Sequence, residues 1–80
     1  MKLWKISQDK NRDYDTYDSA VVAAGTEAEA KMINPDGSGG DIKHERYAWV
    51  VDPSDVTCEC LGTAKPGTKK GVICASYNAG

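Results

Sequence analysis

The stretch SAVVAAGTEAEAKMIN, residues 19–34, holds the two clearest secondary-structure signals of the chain. Residues 19–24 are apolar without alternation and include two adjacent β-branched valines, a pattern typical of a strand that is covered on both faces. Thr26 is followed three residues later by Glu29, which is the spacing of a capping box at the start of a helix. We therefore expect a buried strand followed directly by a helix.

The predicted helix is short and spans about residues 27–33. Pro35 limits it, because a proline disfavours the α conformation at the residue before it. Helical spacing would turn Ala28, Met32 and Ile33 toward the sheet.

The N-terminal segment, residues 2–8, predicts a second strand. It alternates well enough to place Trp4 and Ile6 on one face. Residues 9–15 are mostly polar, a composition typical of a turn. We expect this strand to pair antiparallel with the strand over residues 19–24.

The middle of the chain combines a glycine-rich segment with a short apolar one. Residues 35–46 contain the run PDGSGGD, which favours a mobile loop. YAWVV, residues 47–51, indicates a short strand or packing segment, and DPSD, residues 52–55, indicates a turn with Pro53 at its second position.

The last part of the chain predicts a hairpin. Residues 56–62 and 71–78 have strand-like composition, and AKPGTKK, residues 64–70, would connect them. One register of this hairpin places Cys60 opposite Cys74.

These segments predict a single α+β domain over residues 1–80. It would hold a small antiparallel sheet of four to five strands, in chain order β-β-α-β-β-β, with one short helix packed on one face. A chain of 80 residues buries only about 60% of its unfolded surface, and this one has no Phe. Because small cores often borrow surface from a second copy, we include a homodimer among the expected partners.

Composition argues against several classes of partner. The chain carries 10 basic and 12 acidic side chains, a net charge of −2, which gives no strong field to attract nucleic acid or an anionic membrane.

The first residues and the cysteine count bear on location. The segment MKLWKISQ, residues 1–8, has neither the apolar run of a signal peptide nor that of a membrane span. The cysteine count of three is odd, which favours reduced thiols. We expect a soluble, cytoplasmic protein.

A calcium loop is suggested by spacing and rejected by composition. The four residues at positions 1, 3, 5 and 7 of such a loop would be Asp9, Asn11, Asp13 and Asp15. Tyr14 stands where the sharp turn requires glycine, and Ala20 stands where the bidentate glutamate is required. A polar turn between strands is the preferred interpretation.

The thiols do not predict a zinc site or a catalytic centre. In an extended strand, Cys58 and Cys60 would have Cα atoms about 6.6 Å apart on one face, an awkward arrangement for a single metal ion. The one histidine, His44, lies in a charged segment that would hold a general base poorly. We therefore predict no catalytic residue, no cofactor and no metal, and keep a metal-bound structural module as a weaker alternative.

The segment before the apolar strand is the candidate partner-binding surface. It consists of Asp13, Tyr14, Asp15, Thr16, Tyr17 and Asp18. Tyrosines give a large contact area for little loss of entropy, and aromatic residues beside polar groups are typical of binding hot spots. Trp49, Tyr77 and Asn78 are predicted to extend this surface. A purely structural interpretation also stays open, in which Tyr17 covers the core and the aspartates bond the turn's own N–H groups.

Several segments resemble short proteins encoded by phages and prophages. They are DYDTYDSAVVAA at 13–24, the helix carrying TEAEA, DPSDVTCE at 52–59 and GVICASYNAG at 71–80. The resemblance implies an accessory protein that binds and blocks a host component. It names neither an activity nor a target.

The function predicted from these observations is a non-enzymatic binding module of phage or prophage type that blocks a host protein, such as a defence component. The alternative from another class is a sponge for a small nucleotide signal, with tyrosines stacking on the base and Lys69 or Lys70 meeting the phosphate. A sponge requires a concave pocket where basic and aromatic groups converge, whereas a protein blocker presents an open patch.

Overall fold

The computed structural model describes residues 1–11, 15–37, 42 and 48–78, with the backbone alone at position 78. Its elements, in chain order, are β1 (Lys2–Ser7), β2 (Thr16–Ala24), α1 (Glu27–Lys31), a 3₁₀ turn (Pro53–Asp55), β3 (Thr57–Thr63) and β4 (Gly71–Asn78). The four strands form one antiparallel sheet, and α1 packs on one face of it. The predicted α+β fold is confirmed.

The central strands are β1 and β2, which pair antiparallel as predicted. Trp4 lies opposite Val22 and Ile6 lies opposite Ala20, and all four side chains are buried on the core face. The Trp4 indole N–H donates a hydrogen bond of 3.1 Å to the Ala24 carbonyl. The alternation of β1 therefore predicted its buried face correctly.

The order of the sheet is β3-β1-β2-β4, so the predicted β3–β4 hairpin is wrong. The two strands lie at opposite edges of the sheet, with Cys60 opposite Trp4 and Cys74 opposite Val21. The physical reason is that β2 carries the apolar run of an inner strand and β1 buries Trp4 and Ile6 beside it. A β3–β4 hairpin would leave an edge of that apolar pair unpaired, whereas the observed order covers both edges.

Helix α1 starts where the capping box predicts. The Glu29 N–H donates to the Thr26 hydroxyl oxygen at 3.2 Å, and the Thr26 hydroxyl lies 3.4 Å from the Glu29 carboxylate. The helix ends at Lys31, two residues before the predicted end, and Met32 forms its C-cap.

The residue of α1 that faces the sheet is Ala30, not Ala28. Ala30 is fully buried, whereas Ala28 is exposed, so the prediction for Ala28 is wrong. Met32 and Ile33 are half-buried and pack against the core as expected. The prediction for Ala28 assumed a longer helix. The observed helix has only five residues, and its buried residue, Ala30, lies near its C-terminal end.

Four core residues come from the segment between α1 and β3, namely Ile42, Trp49, Val50 and Val56. Ile42 is fully buried, and its N–H donates to the Met32 carbonyl at 3.3 Å. Ile42 falls within the segment predicted as a mobile loop, residues 35–46, and is a buried core residue that the sequence did not single out. The prediction for residues 38–41 and 43–46 lies outside the described residues.

The other contribution comes from residues 48–51, which form a packing segment and not a strand. Trp49 and Val50 are buried, and Trp49 is the largest fully buried side chain. The fifth predicted strand is therefore absent from the described residues, although position 47 lies outside them. No helix in the described part of the chain is long and apolar enough to cross a membrane.

Candidate functional site

The candidate site lies at the end of the sheet where β1 gives way to β2. This end carries the last residue of β1, the first residues of β2 and the last residues of β4. Four residues of the described chain make up what we call the tyrosine patch: Asp15, Tyr17, Asp18 and Tyr77.

The two tyrosines form a direct cross-strand pair. Tyr17 of β2 lies opposite Tyr77 of β4, and their ring centroids are 4.8 Å apart at an interplanar angle of 60°. Edge-to-face contacts of this kind stabilise aromatic pairs beyond the burial of their area. Tyr17 is half-buried and packs against the core, while Tyr77 remains 47% exposed. One ring is thus anchored in the fold and holds the other at the surface.

Asp15 lies at the start of β2 and contributes a negative charge beside Tyr77. Its backbone has φ of 62°, in the left-handed region that aspartate and asparagine tolerate better than most residues. The Asp15 carboxylate lies close enough to the Tyr77 hydroxyl for its charge to act on the pKa of Tyr77. The pKa of Tyr77 is raised above its ordinary value, first by partial loss of hydration and second by the negative charge of Asp15.

Asp18 is placed at the surface by a β-bulge. The register of β2 against β4 shifts between Tyr17 and Ser19, which makes Asp18 the extra residue, and its side chain is exposed. Its carbonyl accepts a hydrogen bond from the Gln8 N–H at 3.3 Å. The patch therefore carries two carboxylates beside its rings.

Gln8 bonds to the backbone at the start of β2, and it is not among the residues that the sequence predicts for this surface. Its buried side-chain amide donates to the carbonyls of Asn11 at 2.7 Å and Tyr17 at 3.0 Å. Its side-chain oxygen accepts from the N–H groups of Lys10 at 2.9 Å and Asn11 at 2.7 Å. A signal was available, since alternation from Trp4 and Ile6 places position 8 on the buried face.

The predicted partner surface is only partly brought together. Trp49 is 2% exposed and belongs to the core, so its prediction as a surface residue is wrong. The Thr16 side chain is also 2% exposed and cannot present itself to a partner. Trp49 packs in the core cluster, and its segment lies against the start of β2, where the Tyr17 N–H donates to the Ala48 carbonyl at 2.8 Å. Asp13, Tyr14 and the side chain of Asn78 lie outside the described residues.

The lysines of the nucleotide-sponge hypothesis lie far from the tyrosines. Lys70 directly precedes β4, whereas Tyr77 lies near its C-terminal end, so the two are separated by roughly 20 Å at the rise of an extended strand. The Lys70 ammonium also lies 3.2 Å from the Glu29 carboxylate. Within one copy of the chain, Lys69 and Lys70 do not lie close to the tyrosine patch.

The cysteines are free thiols that do not form a cluster. Cys74 is separated from Cys58 and Cys60 by the width of the sheet, roughly 14 Å for three strand spacings. Burial is the main cause that raises the pKa of Cys58, the opposite of the change that activates a thiol nucleophile. Within the described ranges, no group of three or more potential ligands could hold a metal ion. His44 lies outside those ranges.

The chain was compared with protein-family models, with curated proteins and with solved structures, and none of the three comparisons finds a match.

Proposed function

We propose that this protein is a small, non-enzymatic binding module of phage or prophage type, and that its tyrosine patch binds a host protein and blocks it. The observation that supports the proposal is the half-exposed Tyr77 ring, which packs edge-to-face on Tyr17 and lies beside the charge of Asp15. The implied class of host interaction comes from the resemblance to phage proteins.

A pre-organised ring lowers the entropic cost of binding. Tyrosine has only two side-chain torsions, and here the contact with the Tyr17 ring already restricts them. The bonds of Gln8 brace the backbone at Tyr17, so the patch is built on rigid elements. Such aromatic anchors contribute most of the energy at typical protein interfaces.

The charge of the patch indicates the chemistry of the partner. Asp15 and Asp18 place two exposed carboxylates beside the rings. A complementary partner surface would offer lysine or arginine side chains around an apolar cleft that accepts Tyr77. A phosphate group would instead be repelled by the carboxylates, which favours a protein over a nucleotide as the ligand of this patch.

The test is affinity capture from a bacterial host lysate with the wild-type protein and two alanine variants. Tyr77→Ala removes the exposed ring, and Leu61→Ala removes a side chain of matched exposure, 50%, on the opposite edge of the sheet. We expect one host protein to be retained by wild type and Leu61→Ala and lost with Tyr77→Ala. Circular dichroism establishes that both variants are folded, and binding is then measured with the purified host protein.

Two results would contradict the proposal. One is capture that is equally strong for Tyr77→Ala and wild type, which would place the binding surface elsewhere. The other is retention of a nucleotide and no host protein, detected by mass spectrometry of the eluate, which would favour the sponge. An Asp18→Lys variant adds a charge test, because reversing one carboxylate should weaken binding to a basic partner surface.

A further inference from the structure

Strand β4 is an unusually unprotected sheet edge. It is eight residues long, GVICASYN, and contains neither proline nor a charged side chain. On one side it pairs with β2, and no other strand of the described chain pairs with its outer side. Edge strands of monomeric proteins normally carry charges, prolines or covering elements, because their free N–H and C=O groups recruit other strands.

The exposure of β4 strengthens this contrast. Five consecutive uncharged residues, from Ile73 to Tyr77, are exposed, and Ile73 is 52% exposed at a bulge in the ladder with β2. The bulge leaves residues 74–76 in regular register with β2. The opposite edge strand, β3, also has a bulge but carries Glu59 at its centre.

Charges of opposite sign flank the two ends of β4. Lys69 and Lys70 directly precede its first residue. Asp15 and Asp18 lie at the other end, beside Tyr77 and the adjoining part of β2. An antiparallel copy of this strand would place each basic end beside the acidic end of its neighbour, so the edge is electrostatically self-complementary.

We propose that two copies of the chain associate through their β4 edges, antiparallel, and so join two four-stranded sheets into one continuous sheet. The interface is a twofold, isologous one in which main-chain hydrogen bonds unite the strands. Lys69 of each protomer approaches Asp15 and Asp18 of its partner, while Lys70 is paired with Glu29 of its own chain. A second copy is the occupant that matches this arrangement, because residues flanking the two ends of this strand carry charges of opposite sign at the required places.

The dimer also follows from the small size of the core. A chain of 80 residues has little apolar surface to bury, and association adds the main-chain edge of β4 to what is covered. The twofold axis runs normal to the sheet, so both tyrosine patches lie on the same face of the dimer. This association does not depend on the proposed host-binding function.

The first test measures molecular mass by light scattering over a concentration series, for wild type and two matched lysine variants. Ile73→Lys introduces a positive charge on β4, and Leu61→Lys introduces one on β3. The two wild-type side chains are matched in exposure, at 52% for Ile73 and 50% for Leu61. We expect dimers for wild type and Leu61→Lys and loss of the dimer for Ile73→Lys. Wild type that stays monomeric throughout, or two variants that behave alike, would overturn the proposal.

The second test decides the question even if Ile73→Lys fails to fold. One variant keeps only Cys74, through Cys58→Ala and Cys60→Ser, and its control keeps only Cys60, through Cys58→Ala and Cys74→Ser. Both remaining thiols are exposed on edge strands. A short bifunctional maleimide should yield a covalent dimer of the Cys74 variant alone, and less of it as salt screens the end charges. Equal cross-linking of the two variants, or none of either, would rule out the β4 interface.

Discussion

Asp15 joins two roles in one residue. Its backbone adopts the left-handed conformation that leads the chain into β2, and the charge of its carboxylate raises the pKa of Tyr77. A change to alanine would remove the carboxylate and strain the backbone together. Asparagine tolerates the left-handed region and keeps an oxygen acceptor, so it removes the charge alone.

We therefore expect Asp15→Asn to lower the pKa of Tyr77 while the protein stays folded. The negative charge of Asp15 is one of the causes that raise this pKa, whereas the partial loss of hydration persists in the variant. The measurement is an absorbance titration of tyrosinate, with Tyr77→Phe to identify the signal of Tyr77. A titration of Tyr77 that is unchanged in Asp15→Asn would mean that the carboxylate does not contact the ring's hydroxyl in solution.

The same shift has a consequence for stability at alkaline pH. Because the pKa of Tyr77 in the folded protein is raised above its ordinary value of 10.0, the folded state holds this proton more tightly than the unfolded chain does. The resulting stability is complete below the unfolded pKa and is lost as pH rises through the folded pKa. Asp15→Asn should narrow the pH range over which this stability is lost, because it brings the pKa of Tyr77 in the folded state closer to its value in the unfolded chain.

Helix α1 shows how one local contact governs an element. With only five residues, it is too short to persist alone, and its start is fixed by the hydrogen bond from the Glu29 N–H to the Thr26 hydroxyl oxygen. We expect Thr26→Ala to lower the free energy of unfolding by about 1 kcal/mol, the usual cost of losing such a cap. Urea denaturation measures it, and Thr26→Ser, which keeps the hydroxyl, is the matched control. A loss that is equal in both variants would assign the effect to packing of the methyl group.

Elements that depend on neighbours in sequence were predictable, and those that depend on distant partners were not. The buried face of β1 and the cap of α1 follow from side chains a few residues apart. Ile42 and Trp49 were missed as core residues because their burial depends on packing against remote strands, which no local pattern reveals. In the site, the pairing of Tyr17 with Tyr77 depends on the same long-range register.

The order of the sheet is the clearest case at the scale of the whole molecule. Strands joined by a short connection usually pair, which is why the sequence favours a β3–β4 hairpin. Yet β3 runs antiparallel to β1 and β4 runs antiparallel to β2, so the connection only has to cross one end of the sheet. Residues 64–70 are long enough for that crossing, and the Ala64 N–H is bonded to the Met1 carbonyl at 3.0 Å as the chain leaves β3.

The observed order predicts that the folded chain cannot form a disulfide between Cys60 and Cys74. Their strands lie at opposite edges of the sheet, roughly 14 Å apart, and disulfides require Cα atoms within about 7 Å. Dilute protein is oxidised in native buffer, the monomer fraction is isolated, and its disulfides are mapped by mass spectrometry.

The control for this experiment is the same oxidation in urea, where the unfolded chain lets the two thiols meet. We expect the Cys60–Cys74 bond in the unfolded sample and its absence from the native monomer. A hairpin would reverse the native result, because cross-strand cysteines can lie within bonding distance. A native monomer that carries this bond would overturn the sheet order and, with it, the free β4 edge and the position of Tyr77 beside Tyr17.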